Sequence, residues 1–171
     1  MAEPAVLDAI GQYLHRDDDM LLKTLSRFPA GVTIVATRDK EGVPHGLTAT
    51  SFTSVSLHPP LVTVCVANSS RSILAFQACD AFGVSLLAGS QQLLAETFSS
   101  RVDDKFSGVA VSEPLRNALL IDEAAGTLAC SVYRRLVLGD HLMLVGRVVT
   151  CSTADRSVLA YGDRRFMELG G

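Results

Sequence analysis

Two long apolar runs, "GTLACSVYRRLVL" (residues 126–138) and "HLMLVGRVVTCS" (141–152), meet at Gly139-Asp140. Nothing else in the chain constrains the fold as strongly. Runs of this length, rich in Val, Leu and Thr and joined by a Gly-Asp step, predict a β-hairpin. Three further runs read as strands: "GVTIVAT" (31–37), "LVTVCVA" (61–67) and "FGVSLLA" (82–88), with "DKEG" (39–42) as a hairpin turn. "LVTVCVA" is almost wholly apolar, which predicts a strand buried on both faces. Helical periodicity is confined to three places. Residues 3–28 carry Val6, Leu7, Ile10 and Leu14, then Leu21, Leu22 and Leu25 beyond an acidic Asp17–Asp19 break, and predict two short helices. A stripe of Ile73, Leu74 and Phe76 follows cap candidates at Asn68 to Ser70, and Ser90 is placed to cap a helix carrying Leu93, Leu94 and Phe98. Strands outnumber helices and follow one another through short turns. The expectation is a mainly β fold with peripheral helices, a barrel or sandwich, and not a βαβ repeat. The 171 residues suit one domain, read as a helical extension over 1–19 and a body over 20–171.

Charge narrows the function classes. Fifteen Lys and Arg against 18 Asp and Glu leave a formal charge of −3, and no basic run reverses it locally. Such a surface has no general attraction for nucleic acid or anionic lipid. No apolar run approaches the roughly 18 to 20 residues that span a bilayer. "MAEPAVLDAIGQYLHRDDDM" lacks the basic start and apolar core of a signal peptide, so a cytoplasmic location is expected. Cys65, Cys79, Cys130 and Cys151 are widely spaced and form no C-x-x-C pair, which predicts reduced core thiols. His15, His45 and His58 have no spacing that suggests a metal.

Residues 46–60, "GLTATSFTSVSLHPP", interrupt this apolar chain with a dense row of hydroxyls. Read as one strand, Leu47, Ala49, Val55 and Leu57 share a largely core face, with Thr48, Thr50, Ser54, Ser56 and Phe52 on the other. A solvated outer face accounts for this pattern, since Thr is a good β-former. So does a ligand wall, in which hydroxyls and strand-end amides bond a flat heterocycle beside apolar contacts. The lack of any Lys, Glu or Arg between Gly46 and Pro60 favours the wall.

"NSSRS" (68–72) sets hydroxyls, free amides and Arg71 at a helix start, where an anion is favoured and a cation alone is not. Arg101 and Lys105 of "SRVDDKF" (100–106) add positive charge, with ordinary surface pairing to Asp103 or Asp104 as the other account. His141 opens a strand directly after the Gly-Asp turn, at the rim of any pocket there. No G-x-S-x-G elbow, P-loop, or G-x-G-x-x-G at a helix start occurs. Chemistry carried by a cofactor fits such a chain best.

"FPAGVTIVAT", "GLTATSFTSVSLHPPLVTVCV", "NSSRS", "FGVSLL", "FSSRVDDKF" and "GDH", in this order and spacing, resemble the short-chain flavin reductase family. The likeness covers roughly residues 20 to 169. Members are reductase components of two-component flavin-dependent monooxygenases, built on the FMN-binding split barrel. The resemblance implies a homodimeric split β-barrel that uses NADH or NADPH to reduce FMN or FAD for a partner monooxygenase. It implies that Thr48, Ala49, Thr50 and Ser51 line the isoalloxazine ring, with Ser54 a further contact. Asn68, Ser69, Ser70 and Arg71 would approach the ribityl chain and phosphate, Lys105 and Phe106 would close over the phosphate end, and His141 would position the nicotinamide nucleotide. Thr50, His58 and Phe166 stand where the family often has Asn or Ser, Asp, and Tyr.

On this reading hydride passes from nicotinamide to flavin between stacked rings, and catalysis is mostly positioning. Thr48, Thr50 and Ser51 are expected to bond the N1–C2=O edge of the ring, where negative charge develops. Two other readings stay open at this point: a non-catalytic flavin-binding or redox-sensing protein on the same barrel, and a relative that handles phosphopyridoxal or haem.

Overall fold

The computed structural model describes residues 18–170. The first expected helix, over Val6 to Leu14, lies outside them. The second is α1 (Asp18–Ser26), and the body begins with β1 (Ala30–Gly31) and β2 (Thr33–Arg38). Asp39 closes the turn into β3 (Pro44–Ala49), its Oδ1 accepting the N–H groups of Glu41 and Val43 at 3.0 and 2.8 Å. The chain continues through β4 (Thr53–Leu57), β5 (Pro60–Ala67), α2 (Ile73–Ala78), β6 (Ala81–Leu86), a 3₁₀ turn (Gly89–Gln91) and α3 (Gln92–Ser99). It ends with β7 (Val111–Leu115), β8 (Ala118–Ile121), β9 (Gly126–Leu138), β10 (His141–Thr153), β11 (Val158–Gly162) and β12 (Arg165–Leu169). The fold is mainly β with peripheral helices.

Every strand pair among the described residues is antiparallel. The large sheet runs β4-β5-β10-β9-β6-β2-β8-β7, with β3 added on β2, and a small sheet runs β1-β11-β12. The expected hairpin is β9–β10, with His141 opposite Leu138. Gly139 has φ +57°, a left-handed conformation that glycine adopts without steric cost.

β2 lies at the centre. Val35 faces one core, with Val62, Val64, Val66, Phe76, Phe82 and Leu144. Ile34 and Ala36 face a second, with Leu87, Ala95, Phe98, Leu119 and Leu159. Between them, the hydroxyls of Thr33 and Thr37 donate to the carbonyls of Ala49 and Ala81 at 2.8 Å, satisfying two buried polar groups.

β2 is therefore buried on both faces, as are β6 and β8. "LVTVCVA" is not: in β5 only Val62, Val64 and Val66 are buried, and the alternate residues are half-exposed. That second face fronts a cleft instead of a packed layer. Two cap expectations are also corrected. α2 starts at Ile73, with Ser72 as a cap whose side chain makes no capping bond, and it is only six residues long. Ser90 falls inside the 3₁₀ turn, leaving Leu93 on the solvent side of α3 at 77% exposure. Gln91 secures that turn, accepting from the Ala88 N–H and donating to the Asp122 carbonyl.

Candidate functional site

The hydroxyl row is two strands, not one. β3 ends at Ala49, three residues lie outside any strand, and β4 resumes at Thr53 against a different neighbour, since β3 pairs with β2 and β4 with β5. Strand parity does not survive that break. Phe52 turns in against the first core, while Val55 and Leu57 are 55% and 75% exposed. The break is held by Ser51, whose Oγ accepts the Cys65 N–H at 2.9 Å and donates to the Cys65 carbonyl at 3.2 Å.

Above the break lies a cavity of about 420 Å³, within the roughly 300–1,000 Å³ of small-molecule sites. Thr48, Ala49, Thr50 and Ser51 form one wall. Ser69, Ser70 and Arg71 come in from the β5–α2 connection, Lys105 from the loop after α3, and His141 from the start of β10. Nine of the twelve residues expected at a site thus border one space. Ser54 lies on β4 and Asn68 on the turn after β5, and neither lines it. Phe106 lines an adjoining cavity of about 560 Å³, which also touches Arg71, Ser72 and Lys105.

Several hydroxyls already have protein partners. Thr48 Oγ1 donates to the Ala95 carbonyl of α3 at 2.6 Å. Its single proton is engaged, so toward a ligand it can only accept. Ser51 is committed to β5 as above. Thr50 makes no hydrogen bond through its side chain among the described residues, and it is exposed at the cavity wall.

The cations are anchored by the loop they face. Arg71 donates from Nη1 to the Arg101 carbonyl and from Nη2 to Asp103 Oδ1, both at 2.6 Å. Lys105 Nζ donates to the Phe98 carbonyl at 2.7 Å. Burial, and then the charge of Arg71, pull the Lys105 ammonium below its ordinary pKa. Two cations whose proximity costs free energy are stabilised by an anion between them. The helix contributes little here, because α2 has fewer than two turns and starts after Arg71.

His141 Nδ1 lies 2.7 Å from Asp140 Oδ1. Hydrogen bonding to the imidazole holds the Asp140 carboxyl below the usual carboxylate range. The bond leaves Nε2 as the ring nitrogen available to a ligand.

Residues that sequence reasoning missed come from the far face of β5 and the end of α3. Cys65 and Ala67 line the cavity because β5 alternates, and Phe98, Ser99 and Ser100 line it because α3 packs over β3. Of the cysteines, Cys79 and Cys130 are buried as expected, but Cys65 is half-buried at the cavity and Cys151 is exposed. Burial raises the Cys65 thiol and pushes Cys130 up to about 12, so both are neutral thiols near neutral pH. Among the described residues no group of three His, Cys, Asp or Glu could hold a metal ion, and no helix is long and apolar enough to cross a membrane.

The family described as "Flavin reductase like domain" matches residues 25–170. The chain is 41% identical over 154 residues to an actinorhodin polyketide dimerase of Streptomyces coelicolor, covering 90% of this chain and 87% of that protein. It is 36% identical to a flavin reductase (NADPH) of Lentzea aerocolonigenes, covering 83% and 84%. It is 37% identical to the reductase subunit HsaB of a flavin-dependent monooxygenase of Rhodococcus jostii, covering 80% and 71%. Two relatives from Rhizobium meliloti are longer, and the chain spans 63% and 47% of them. Among solved structures, the NADH:FAD oxidoreductase SgcE6 of Streptomyces globisporus, in complex with NAD and FAD fragments, superposes with a TM-score of 0.84 at 33% identity, covering 90% of this chain and 93% of that one. The match spans both cores and every wall of the cavity, and the chain belongs to the flavin reductase family.

Proposed function

We propose that this protein is the reductase component of a two-component flavin-dependent monooxygenase system. It is an NAD(P)H-dependent flavin reductase, and the observation that carries this is the meeting of an uncharged hydroxyl wall, three cations (Arg71, Arg101 and Lys105) and a histidine in one cavity. The donor set suits a flavin: neutral groups for a flat ring at one side, Arg71 and Lys105 for a phosphate at one end. Bound flavin supplies the chemistry, accepting a hydride from the reduced nicotinamide.

The chain's own residues bind and position. Thr48 accepts a hydrogen bond from the ring system, because its proton is held by Ala95. The expected set of three donating hydroxyls is thereby narrowed to Thr50 and nearby backbone amides. Ser51 keeps the wall in register with β5. Ser69, Ser70 and Arg71 flank the ribityl and phosphate end with Lys105, Asn68 and Phe106 act at its margins, and Ser54 on β4 serves as a further contact on the ring side. His141, oriented by Asp140, presents Nε2 to the nicotinamide or its phosphates and is no obligatory acid or base.

The protein works in the cytoplasm as a homodimeric split barrel. Exposed apolar side chains support self-association, among them Phe28 at 79%, Leu57 at 75% and Val137 at 72%. Reduced flavin then passes to a separate oxygenase. The similarity to a monooxygenase reductase subunit supports this. Oxidation of NADH and of NADPH, followed with FMN, FAD and riboflavin in turn, tests the reading. Turnover with at least one pair is expected, and no turnover with any pair overturns it. Light scattering at micromolar concentration tests the dimer.

A further inference from the structure

Thr50 borders a third cavity as well as the first, and the flavin reading leaves this one without a role. It measures about 360 Å³, within the roughly 300–1,000 Å³ of small-molecule sites. Its walls come from distant parts of the chain. Leu22 and Leu25 of α1, Phe28, and Ala30 of β1 supply one side, and Tyr161 and Gly162 of β11 with Arg164 supply the other.

The two sides are latched together. The Asp163 N–H donates to the Ser26 carbonyl at 2.6 Å, and Arg27 Nη1 lies 3.4 Å from Asp163 Oδ2. Gly162 packs on Pro29, where an added Cβ would lie 2.9 Å from the proline Cβ. Tyr161 is held by Phe166, edge to face with 5.0 Å between centroids. Asp163 and Arg164 have φ of +50° and +60°, the paired left-handed residues of a tight two-residue hairpin turn.

This latch engages Arg27 and Asp163 and leaves Arg164 over. Among the described residues the Arg164 guanidinium has no ion pair or hydrogen bond, and no Asp, Glu or Lys lines the cavity with it. The Tyr161 phenol and the Thr50 hydroxyl likewise have no hydrogen-bond partner among the described residues, whereas Ser26 is engaged by the Lys23 carbonyl. A phosphate-rich nucleotide meets apolar walls on most sides here, and a neutral aromatic forms no ion pair. A flat ring bearing a carboxylate suits both the apolar wall and the guanidinium fork.

We propose that this cavity binds an aryl carboxylate, its ring against Leu22, Leu25 and Phe28 and its carboxylate at Arg164, as an effector sensed through Thr50. The binding stands on the cavity itself. The effector role rests on the flavin reductase reading, because the Thr50 hydroxyl is the group shared with the flavin ring. An acid that engages this hydroxyl weakens flavin binding, and flavin weakens the acid by the same factor.

Calorimetric titration of the full chain, without flavin, with 2-naphthoate and with 2-naphthamide tests the site. The acid should bind at least about tenfold more tightly than the amide, the effect of one charge-assisted contact. Arg164→Gln should cut that preference to less than about threefold, and Leu25→Trp, which fills the space, should abolish binding of both probes. Thermal melts check that the variants are folded, and Arg164→Gln, at an exposed turn, carries the test if Leu25→Trp is not. At rising naphthoate the FMN constant should increase by about three- to tenfold and then level off, and Thr50→Val should remove that increase while still binding the acid. Equal binding of acid and amide, no binding of either, or an Arg164→Gln protein that keeps the preference overturns the proposal. So does an FMN constant that climbs without limit, which puts the acid in the flavin cavity. An FMN constant that naphthoate leaves unchanged overturns the effector role alone. The reductase reading falls on a different result, the absence of NAD(P)H oxidation with any flavin.

Discussion

Arg71 reaches across the mouth of the cleft to Asp103, with Nη2 2.6 Å from Oδ1 and the two side chains 61% and 91% exposed. An exposed pair of this kind is worth at most about 1 kcal/mol, and a phosphate bearing more charge displaces the carboxylate readily. Arg71→Ala should therefore weaken FMN binding by about 10- to 100-fold, the loss of one charge-assisted contact of roughly 1.5–3 kcal/mol. Riboflavin, which has no phosphate, should be unaffected. Asp103→Asn should tighten FMN by a few-fold. Parallel fluorescence titrations of the two flavins check this, and an equal loss for both removes Arg71 from the phosphate.

His141→Ala should raise the Michaelis constant for the reduced nicotinamide more than it weakens flavin affinity. Asp140→Asn should reproduce a smaller part of the same effect, because the ring loses its orientation and not its nitrogen. Steady-state kinetics on both variants provide the check. An unchanged constant for His141→Ala eliminates the role.

The Asp39–His45 contact predicts a pH dependence. Hydrogen bonding from His45, with further help from the Val43 and Glu41 N–H groups, holds Asp39 below its ordinary value of 3.8. Its folded pKa is depressed, so its contribution to stability is present above that ordinary value and lost as the pH falls through the folded one. Urea unfolding of Asp39→Asn should show a deficit against the wild type at pH 7 that shrinks as the pH drops below 3.8. A deficit that is constant with pH rules the contact out as the cause.

Gly46→Ala should destabilise the fold by about 1–3 kcal/mol, since both flanking contacts are aromatic rings packed against each other. For a chain of this size that corresponds to a fall in Tm of roughly 2–4 °C per kcal/mol. A thermal melt in circular dichroism measures it. Wild-type stability would place the two rings elsewhere.

Periodicity made the strands legible wherever one pairing partner ran alongside for their whole length, as in β9 and β10 around Gly139. It failed at residues 50–52, where the chain leaves β2 for β5 and the alternation of Thr48 and Thr50 says nothing about Thr53 onward. It failed again in β5, whose composition matches a doubly buried strand although one face borders a cleft; Cys65 and Ala67 are small and apolar enough to suit either. The cavity walls given by "GLTATS", "NSSRS", "DKF" and "GDH" were readable as a set. Ser99, Ser100 and Phe98 were not, because only the packing of α3 on β3 brings them there. The engagement of Thr48 by Ala95 has no local signature, since the acceptor is 47 residues away.

The position of β2 has a mechanical consequence. One strand contributes to both cores, so neither can melt while the other stays packed, and the two should unfold as one cooperative block. The slowest-exchanging amides should include those of Ile34 to Ala36. Breathing on the timescale of ligand entry is then left to the segment from Arg101 to Gly108, which is mostly exposed and lies outside any helix or strand. Entry and exit become a matter of that flap, with the large sheet behaving as a fixed anvil beneath it.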